Sequence, residues 1–259
     1  MPSLPTVNAL YRYPLKGFSA EALDSAVLEP GGTMPFDRIF AIENGPSGFD
    51  PEAPAHLPKI RFLMLMRNEA IARLASRYDA DTGRLTISEG GRDRIAGNLR
   101  EADGRAMIEA WIAERFAGEL RGPPRILASP GHSFSDKKEK VLHLINLASV
   151  RALEQKLGGT IDPMRFRANV VVDGLPPFAE LEWVGRGLKL PSVTLSCIDR
   201  TDRCAATNVD PRTGARDMTL PKSLMGLYGH IDFGIYLTVT HGGTIAVGDT
   251  IAPGDFVDS

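Results

Sequence analysis

Among the residues that could carry out chemistry, Cys204 has the most unusual surroundings. It follows an apolar stretch that predicts a strand, and it stands in a polar loop next to Arg203 and close to Arg200. Neighbouring positive charge favours the thiolate, which is the form that attacks electrophiles and binds soft metals. Cys197 lies within the apolar stretch, where a cysteine acts as a small buried hydrophobic residue. We therefore expect the chemistry at Cys204, with an inert buried thiol as the alternative.

Other common catalytic patterns are missing from the sequence. The glycines at 185 and 187 are followed by Leu190 where a dinucleotide-binding loop requires a third glycine. The chain has no Gly-Lys-Ser/Thr phosphate-binding loop, and Gly17-Phe18-Ser19-Ala20-Glu21 lacks the closing glycine of a nucleophile elbow. The five histidines lack the spacing of a helical metal pair, and we expect them to be structural or solvated. They are His56, His132, His143, His230 and His241.

Composition narrows the class of protein further. The chain has 259 residues, a net charge of −2 and two cysteines. The near-neutral charge argues against nucleic acid as a partner. Two cysteines are too few for a disulfide framework, a four-cysteine zinc site or an all-cysteine iron–sulfur cluster. No apolar run approaches the ~20 residues of a membrane span, and no signal peptide is recognisable. These features predict a cytoplasmic protein.

Short apolar runs separated by glycine and proline predict a mainly β protein with a few short helices. The clearest helix is expected to begin at Asp103, and a second is expected to begin at Asn146, each residue acting as an N-cap. Residues 69–78 leave helix and β-hairpin equally open. A glycine- and proline-rich break then separates two lobes, which we predict to be domains over residues 1–127 and 128–259.

Four segments carry a resemblance to a known family. They are Leu10–Gly17 with Asp37-Arg38, Arg165–Val171, Arg203–Gly214, and Phe233-Gly234 with Gly243–Asp249. In that order they resemble the N-terminal β-barrel module, the Arg-Phe-Arg-Pro-Asn strand, the cysteine signature and the closing strands of the MOSC domain family (molybdenum cofactor sulfurase C-terminal domain). The resemblance covers nearly the whole chain. Two departures are Gly17, where relatives often have serine, and Ala168, where proline is usual.

The resemblance implies an N-terminal β-barrel lobe packed on a MOSC β-barrel domain, and a bound molybdenum cofactor. It makes Cys204 the metal ligand and the catalytic residue. The side chains that it assigns to the pterin and its phosphate are Lys16, Arg38, Asn146, Ser149, Arg167, Asn169 and Arg203. Arginine suits bidentate phosphate contacts, and the helix N-terminus expected at Asn146 would offer backbone donors to an anion. The alternatives are a salt bridge to a residue such as Asp37 for Arg38 and Arg167, and a solvated loop position for Lys16.

The same resemblance implies a molybdenum-dependent oxidoreductase, similar to amidoxime-reducing components and their bacterial relatives. It would reduce N-hydroxylated small molecules by oxo transfer. Because the chain lacks the cysteines of a ferredoxin domain, its electrons would come from a separate redox protein. One alternative is a sulfur carrier or cofactor-delivery protein, in which Cys204 holds a persulfide or the cofactor in transit. A third is a β-barrel binding protein with an idle cysteine.

Overall fold

The computed structural model describes residues 4–256, and most of its regular structure is β-strand. The strands are β1 (Thr6–Arg12), β2 (Glu21–Leu23), β3 (Ser25–Leu28), β4 (Ala41–Ile42), β5 (Leu74–Asp79), β6 (Arg84–Glu89), β7 (Arg92–Asn98), β8 (Ile126–Leu127), β9 (Leu142–Asn146), β10 (Val170–Asp173), β11 (Arg186–Lys189), β12 (Thr194–Asp202), β13 (Asp232–His241), β14 (Gly243–Ala246) and β15 (Ala252–Phe256). The α-helices are α1 (Ala102–Arg115), α2 (Leu147–Leu157) and α3 (Leu220–Tyr228). Short 3₁₀ turns lie at Lys59–Arg61, Glu69–Arg73, Pro163–Phe166, Ala179–Trp183 and Ala205–Asn208. The predicted fold class, mainly β with a few short helices, is confirmed.

Eight strands form one large sheet in the order β15-β11-β12-β13-β9-β10-β1-β2. β9 and β10 run parallel, whereas β10 and β1 are antiparallel. β1 comes from the first half of the chain and β10 from the second, so the sheet joins the two halves. Its register places Tyr236 opposite His143 and opposite Asp199, and Asn169 is hydrogen-bonded to the backbone of His143. Polar side chains from four neighbouring segments therefore lie in one row across the sheet.

The first half of the chain has its own core. The antiparallel sheet β5-β6-β7 packs with α1 around buried side chains that include Leu85, Ile108 and Phe116. Within the stretch left open between helix and hairpin, a 3₁₀ turn comes first and β5 then pairs with β6. The expected N-cap of α1 at Asp103 is wrong, because the helix begins at Ala102. Asp103 instead lies in the first turn, where its negative charge interacts favourably with the positive end of the helix dipole.

The helix α2 begins where the sequence predicts. The Asn146 side chain accepts a hydrogen bond from the Ala148 N–H at 3.0 Å, and Gly158 ends the helix in a left-handed conformation with φ of 71°. α2 and α3 pack on one face of the large sheet around Phe166 and Phe233. These two rings are stacked with their centroids 3.9 Å apart. This packing fixes the segment that leads into β10, where two of the cavity residues described below lie.

The smaller sheets complete the architecture. β14 pairs with β3, and β4 pairs with β8. Among the sheets of residues 4–256 none closes into a hydrogen-bonded ring, so the barrels implied by the family resemblance are open in this chain. No helix in this part of the chain combines the length and the apolar composition needed to cross a membrane. The domain boundary between residues 127 and 128 stays a prediction.

Candidate functional site

A cavity of about 270 Å³ is lined by residues from both halves of the chain. The first half contributes Lys16, Arg38 and Lys59, and the second half contributes Arg167 and Cys204 among others. This volume lies near the lower end of the ~300–1,000 Å³ typical of small-molecule sites. The cavity therefore exists only because the two halves are packed together through the shared sheet.

Six of the eight side chains singled out from the sequence meet at this cavity. They are Lys16, Arg38, Arg167, Asn169, Arg203 and Cys204. They come from the loop after β1, the loop between β3 and β4, the segment that leads into β10, and the residues that follow β12. Because parallel and antiparallel pairing aligns these strand ends at one edge, residues far apart in sequence share one wall.

Cys204 lies two residues after the end of β12 and is partly exposed to the cavity. Its carbonyl oxygen accepts hydrogen bonds from the backbone N–H of Thr207 at 3.1 Å and from the Thr207 hydroxyl at 2.9 Å. Arg216 donates to the carbonyl oxygen of Ala205 and also to that of Met66, in the first half of the chain. The loop that carries the thiol is thus held from both sides. Cys197 behaves as expected, since it is buried and its burial raises the pKa of its thiol to about 12.

Arg38 and Arg167 share an unusual backbone conformation. Their φ angles are 51° and 53°, in the left-handed region that non-glycine residues rarely adopt. Such residues cost about 1–3 kcal/mol each and concentrate at functional sites. Both guanidinium groups lie over the ring of Tyr13, with Cζ at 4.5 Å and 4.3 Å from its centroid. Two positively charged side chains that line the same cavity therefore share one tyrosine ring as a cation–π partner.

The positive charge of the cavity is only partly balanced. Arg38 pairs with Asp37, which bears out the salt bridge considered as its alternative role. Within residues 4–256 neither Arg167 nor Arg203 forms an ion pair, and Nη2 of Arg167 and Nε of Arg203 are buried without a hydrogen-bond partner. A buried donor without an acceptor costs about 1–3 kcal/mol. These two nitrogens can be satisfied by an anion in the cavity.

Lys16 is not the solvated loop lysine considered as its alternative, because it is only 7% exposed. Its ammonium donates to the Phe134 carbonyl oxygen at 2.7 Å and to the Asp136 carboxylate at 2.5 Å. Burial lowers the pKa of Lys16, and Asp136 opposes that shift. Lys59 donates to the second oxygen of Asp136 at 3.1 Å. One carboxylate therefore serves two lysines, which leaves the cavity with an excess of cations.

Asn169 is almost fully buried at the cavity wall. Its Oδ1 accepts from the His143 N–H at 3.1 Å, and its Nδ2 donates to the Tyr11 carbonyl oxygen at 3.1 Å. Asn169 thus ties β9 to β1 at the point where both reach the cavity. These two hydrogen bonds hold the strands together.

Asn146 and Ser149, which the family resemblance assigns to the cofactor, do not line this cavity. Asn146 is the last residue of β9, whereas His143, near the start of the strand, is the residue that reaches the cavity. Asn146 and Ser149 both donate hydrogen bonds to Glu180. Its carboxylate accepts from the Ser149 hydroxyl at 2.8 Å and from Asn146 Nδ2 at 3.1 Å. The N-terminus of α2 is therefore closed by protein groups.

Sequence reasoning missed several polar residues that line the cavity, including Lys59, Asp136, His143 and Tyr236. None of them belongs to a recognisable local motif, and Lys59 and Asp136 are 77 positions apart when they form their hydrogen bond. For Tyr236 and His143 a signal exists in retrospect, since each is a polar residue inside an otherwise apolar strand.

Comparison with known proteins identifies the family. Residues 4–118 match the MOSC N-terminal beta barrel domain, and residues 129–252 match the MOSC domain. The chain belongs to the MOSC domain family. The family resemblance inferred from the four segments of sequence is therefore confirmed.

Named relatives of this MOSC protein fall into two groups. The chain is 25% identical to molybdenum cofactor sulfurase of Caenorhabditis briggsae, over 99% of this chain and 35% of that protein. It is 31% identical to mitochondrial amidoxime reducing component 2 of Rattus norvegicus, over 55% of this chain and 47% of that protein. The chain thus spans between a third and a half of the length of these relatives. Among solved structures, the YUAD protein of Bacillus subtilis matches with a TM-score of 0.45 and 15% identity, over 96% of this chain and 94% of that one.

Proposed function

We propose that this chain binds the molybdenum cofactor in the cavity beside Cys204 and uses it to reduce N-hydroxylated small molecules, with electrons from a separate redox protein. The observation that carries the proposal is a partly exposed thiol on the wall of a cavity where Arg167 and Arg203 present buried nitrogens without partners. Relatives named as amidoxime-reducing components support the reductase activity.

The donor set of the cavity fits such a cofactor. A phosphate-bearing pterin needs cationic and N–H donors, and a soft metal centre needs a thiolate. The cavity offers both, because its cations outnumber its carboxylates and Cys204 lies on the same wall. The unsatisfied nitrogens of Arg167 and Arg203 would gain acceptors from a phosphate group. The residues present therefore match the charge and the ligand preference of the group.

The cavity residues that were singled out from the sequence then have defined tasks. Cys204 supplies the thiolate ligand, and Arg167 and Arg203 donate to the phosphate. Arg38 and Lys16 add positive charge, although each is already paired with a carboxylate, so their contribution is mainly to the field in the cavity. Asn169 holds the cavity wall. When bound, the molybdenum cofactor supplies the two-electron removal of oxygen from an N–OH group.

The overall reaction fixes what a partner must deliver. Reduction of R–NH–OH to R–NH₂ and water breaks one N–O bond and consumes two electrons and two protons. The described residues 4–256 contain two free cysteines and no cluster able to hold an iron–sulfur centre. We propose that a separate redox protein delivers these electrons.

A second candidate is cofactor delivery or sulfur transfer, with a persulfide or the cofactor carried on Cys204. It is favoured by the match over 99% of this chain to a molybdenum cofactor sulfurase. Both candidates use the same thiol and the same cationic wall. They differ in turnover, which only the reductase shows.

The test is a reductase assay on protein from a host that makes the cofactor, with reduced methyl viologen as artificial electron donor and benzamidoxime as substrate. The proposal predicts benzamidine as product from wild type and none from Cys204→Ser, while Cys197→Ser keeps its activity per folded chain. Sulfane sulfur on Cys204 without any turnover would favour the carrier instead.

A further inference from the structure

His143 is a cavity residue to which neither the motifs nor the proposed function assigns a role. It lies on β9, is 6% exposed, and lines the cavity beside Arg203. Its Nε2 lies 3.3 Å from Nη1 of Arg203. Because a guanidinium group can only donate hydrogen bonds, Nε2 must be the acceptor of this contact.

The surroundings keep the imidazole neutral. Burial, reinforced by the positive charges of Arg203 and Arg38, lowers the pKa of His143 well below its usual value, although hydrogen bonds with the backbone of Phe233 and Arg167 oppose the shift. A neutral imidazole has one acceptor nitrogen and one N–H donor, whereas a protonated ring has no acceptor. The ring is therefore in the form that can accept from Arg203 throughout the physiological pH range.

Arg203 is fixed by two contacts. Its Nη2 donates to the Phe166 carbonyl oxygen at 2.7 Å, and its Nη1 faces His143. Nη1 and Nη2 each keep one further N–H, and Nε is buried without a partner. Because the two contacts hold the plane of the guanidinium, they also fix the direction in which the Nε–H points.

The backbone makes room for this arrangement. Gly234 has φ of 86°, and a Cβ atom there would lie 2.8 Å from Nε2 of His143 and 2.4 Å from the Leu144 carbonyl oxygen. A side chain at position 234 would push the imidazole away from Arg203. The contact between His143 and Arg203 therefore depends on the glycine at position 234.

We propose that His143 is a positioning residue, whose neutral acceptor nitrogen orients Arg203 so that Nε of Arg203 donates to a phosphate-type anion in the cavity beside Cys204. The inference rests on the anionic site of the proposed function. It does not require that the chain carry molybdenum or catalyse a reduction.

The experiment measures binding of inorganic phosphate to the full chain, produced in a host that cannot make the cofactor, by isothermal titration calorimetry. His143→Phe removes the acceptor and keeps a planar ring, and His143→Leu removes it with a smaller side chain. His143→Gln retains an acceptor in its amide oxygen. Arg203→Gln and the double variant His143→Phe/Arg203→Gln complete a mutant cycle.

We expect His143→Phe and His143→Leu to weaken phosphate binding roughly tenfold or more, as for a lost hydrogen bond to a charged group. His143→Gln should stay within about threefold of wild type, because the acceptor is retained. The double variant should bind no more weakly than Arg203→Gln alone. Leu188→Ala, a fully buried position of the large sheet away from the cavity, should lower stability without changing phosphate affinity.

The proposal would be overturned if the fold losses of phosphate affinity in the two single variants multiplied in the double variant. His143 would then act independently of Arg203. A wild-type chain that binds no phosphate, or a Leu variant with unchanged affinity, would overturn it as well. A chain that binds phosphate with the expected cycle but takes up no molybdenum would leave this inference standing and refute the proposed function.

Discussion

Replacing Arg167 by methionine should make the ligand-free protein more stable, although it removes a residue central to the site. Arg167 is half-buried and forms no ion pair within residues 4–256, and its Nη2 is buried without a partner. Methionine is shorter than arginine, but it replaces the aliphatic stem and carries no charge. The substitution therefore removes a buried charge and leaves the hydrophobic stem contacts in place.

The structure sets the size of the effect. Burial lowers the pKa of Arg167 to about 10 from 12.5, even though Tyr13 opposes the shift. At pH 7 the group is charged in both folded and unfolded chains, so this shift corresponds to roughly 3 kcal/mol of unfavourable free energy in the folded state. Loss of the cation–π contact with Tyr13 reduces this expected gain in stability by about 1 kcal/mol. We expect Arg167→Met to raise the free energy of unfolding by about 1–2 kcal/mol, or the Tm by about 2–6 °C.

The assay is urea unfolding of the cofactor-free chain, followed by phosphate titration of the same samples. Arg151→Met is the matched control, because Arg151 is half-exposed on α2 and pairs with Asp173. An exposed pair of this kind contributes about 0–1 kcal/mol, so the control should be neutral or slightly destabilised. Arg167→Met should gain stability and lose phosphate binding. If it loses more stability than the control, Arg167 is a structural residue and the reasoning fails.

The other predictions concern stability measured by urea unfolding. Cys197→Ser should lose about 1–3 kcal/mol, because a hydroxyl replaces a thiol that is 1% exposed; an unchanged midpoint would contradict the burial argument. Gly234→Ala should lose about 2 kcal/mol or more, since its Cβ would clash with the Leu144 carbonyl oxygen, whereas Gly226→Ala on α3, with open space around it, should be neutral or gain about 0.5–1 kcal/mol. Burial raises the pKa of Glu180 above 4.5, so its protonated form stabilises the fold below that pH and this contribution is lost as the pH rises through the raised value. Glu180→Gln should therefore gain stability relative to wild type between pH 4.5 and pH 7.5, and a constant difference over that range would refute the raised pKa.

The sequence predicted the residues that belong to contiguous motifs flanking strands. Arg167, Asn169, Arg203 and Cys204 lie at strand ends, and pairing in the large sheet necessarily brings such ends to one edge. The prediction of the Asn146 cap was also correct, because capping depends on interactions within one turn. The capping residue itself does not line the cavity. A helix N-terminus is available to a ligand only if no other protein group reaches it, and Glu180 does.

The residues that sequence reasoning missed depend on long-range packing. Lys59 and Asp136 meet at Lys16 through loops with no regular pattern, and their contact is visible only once the two halves are folded together. His143 lies inside an apolar strand, where a histidine is usually structural. Its importance comes from Arg203, 60 positions further along the chain.

The central claim is that Cys204 holds molybdenum in this cavity, and metal content tests it most directly. Wild type, Cys204→Ser and Cys197→Ser would be purified from a host that makes the cofactor, and molybdenum per folded chain would be measured by inductively coupled plasma mass spectrometry. The account predicts near-stoichiometric metal in wild type and in Cys197→Ser, and a large loss in Cys204→Ser. Full molybdenum content in Cys204→Ser, or none in wild type, would contradict it.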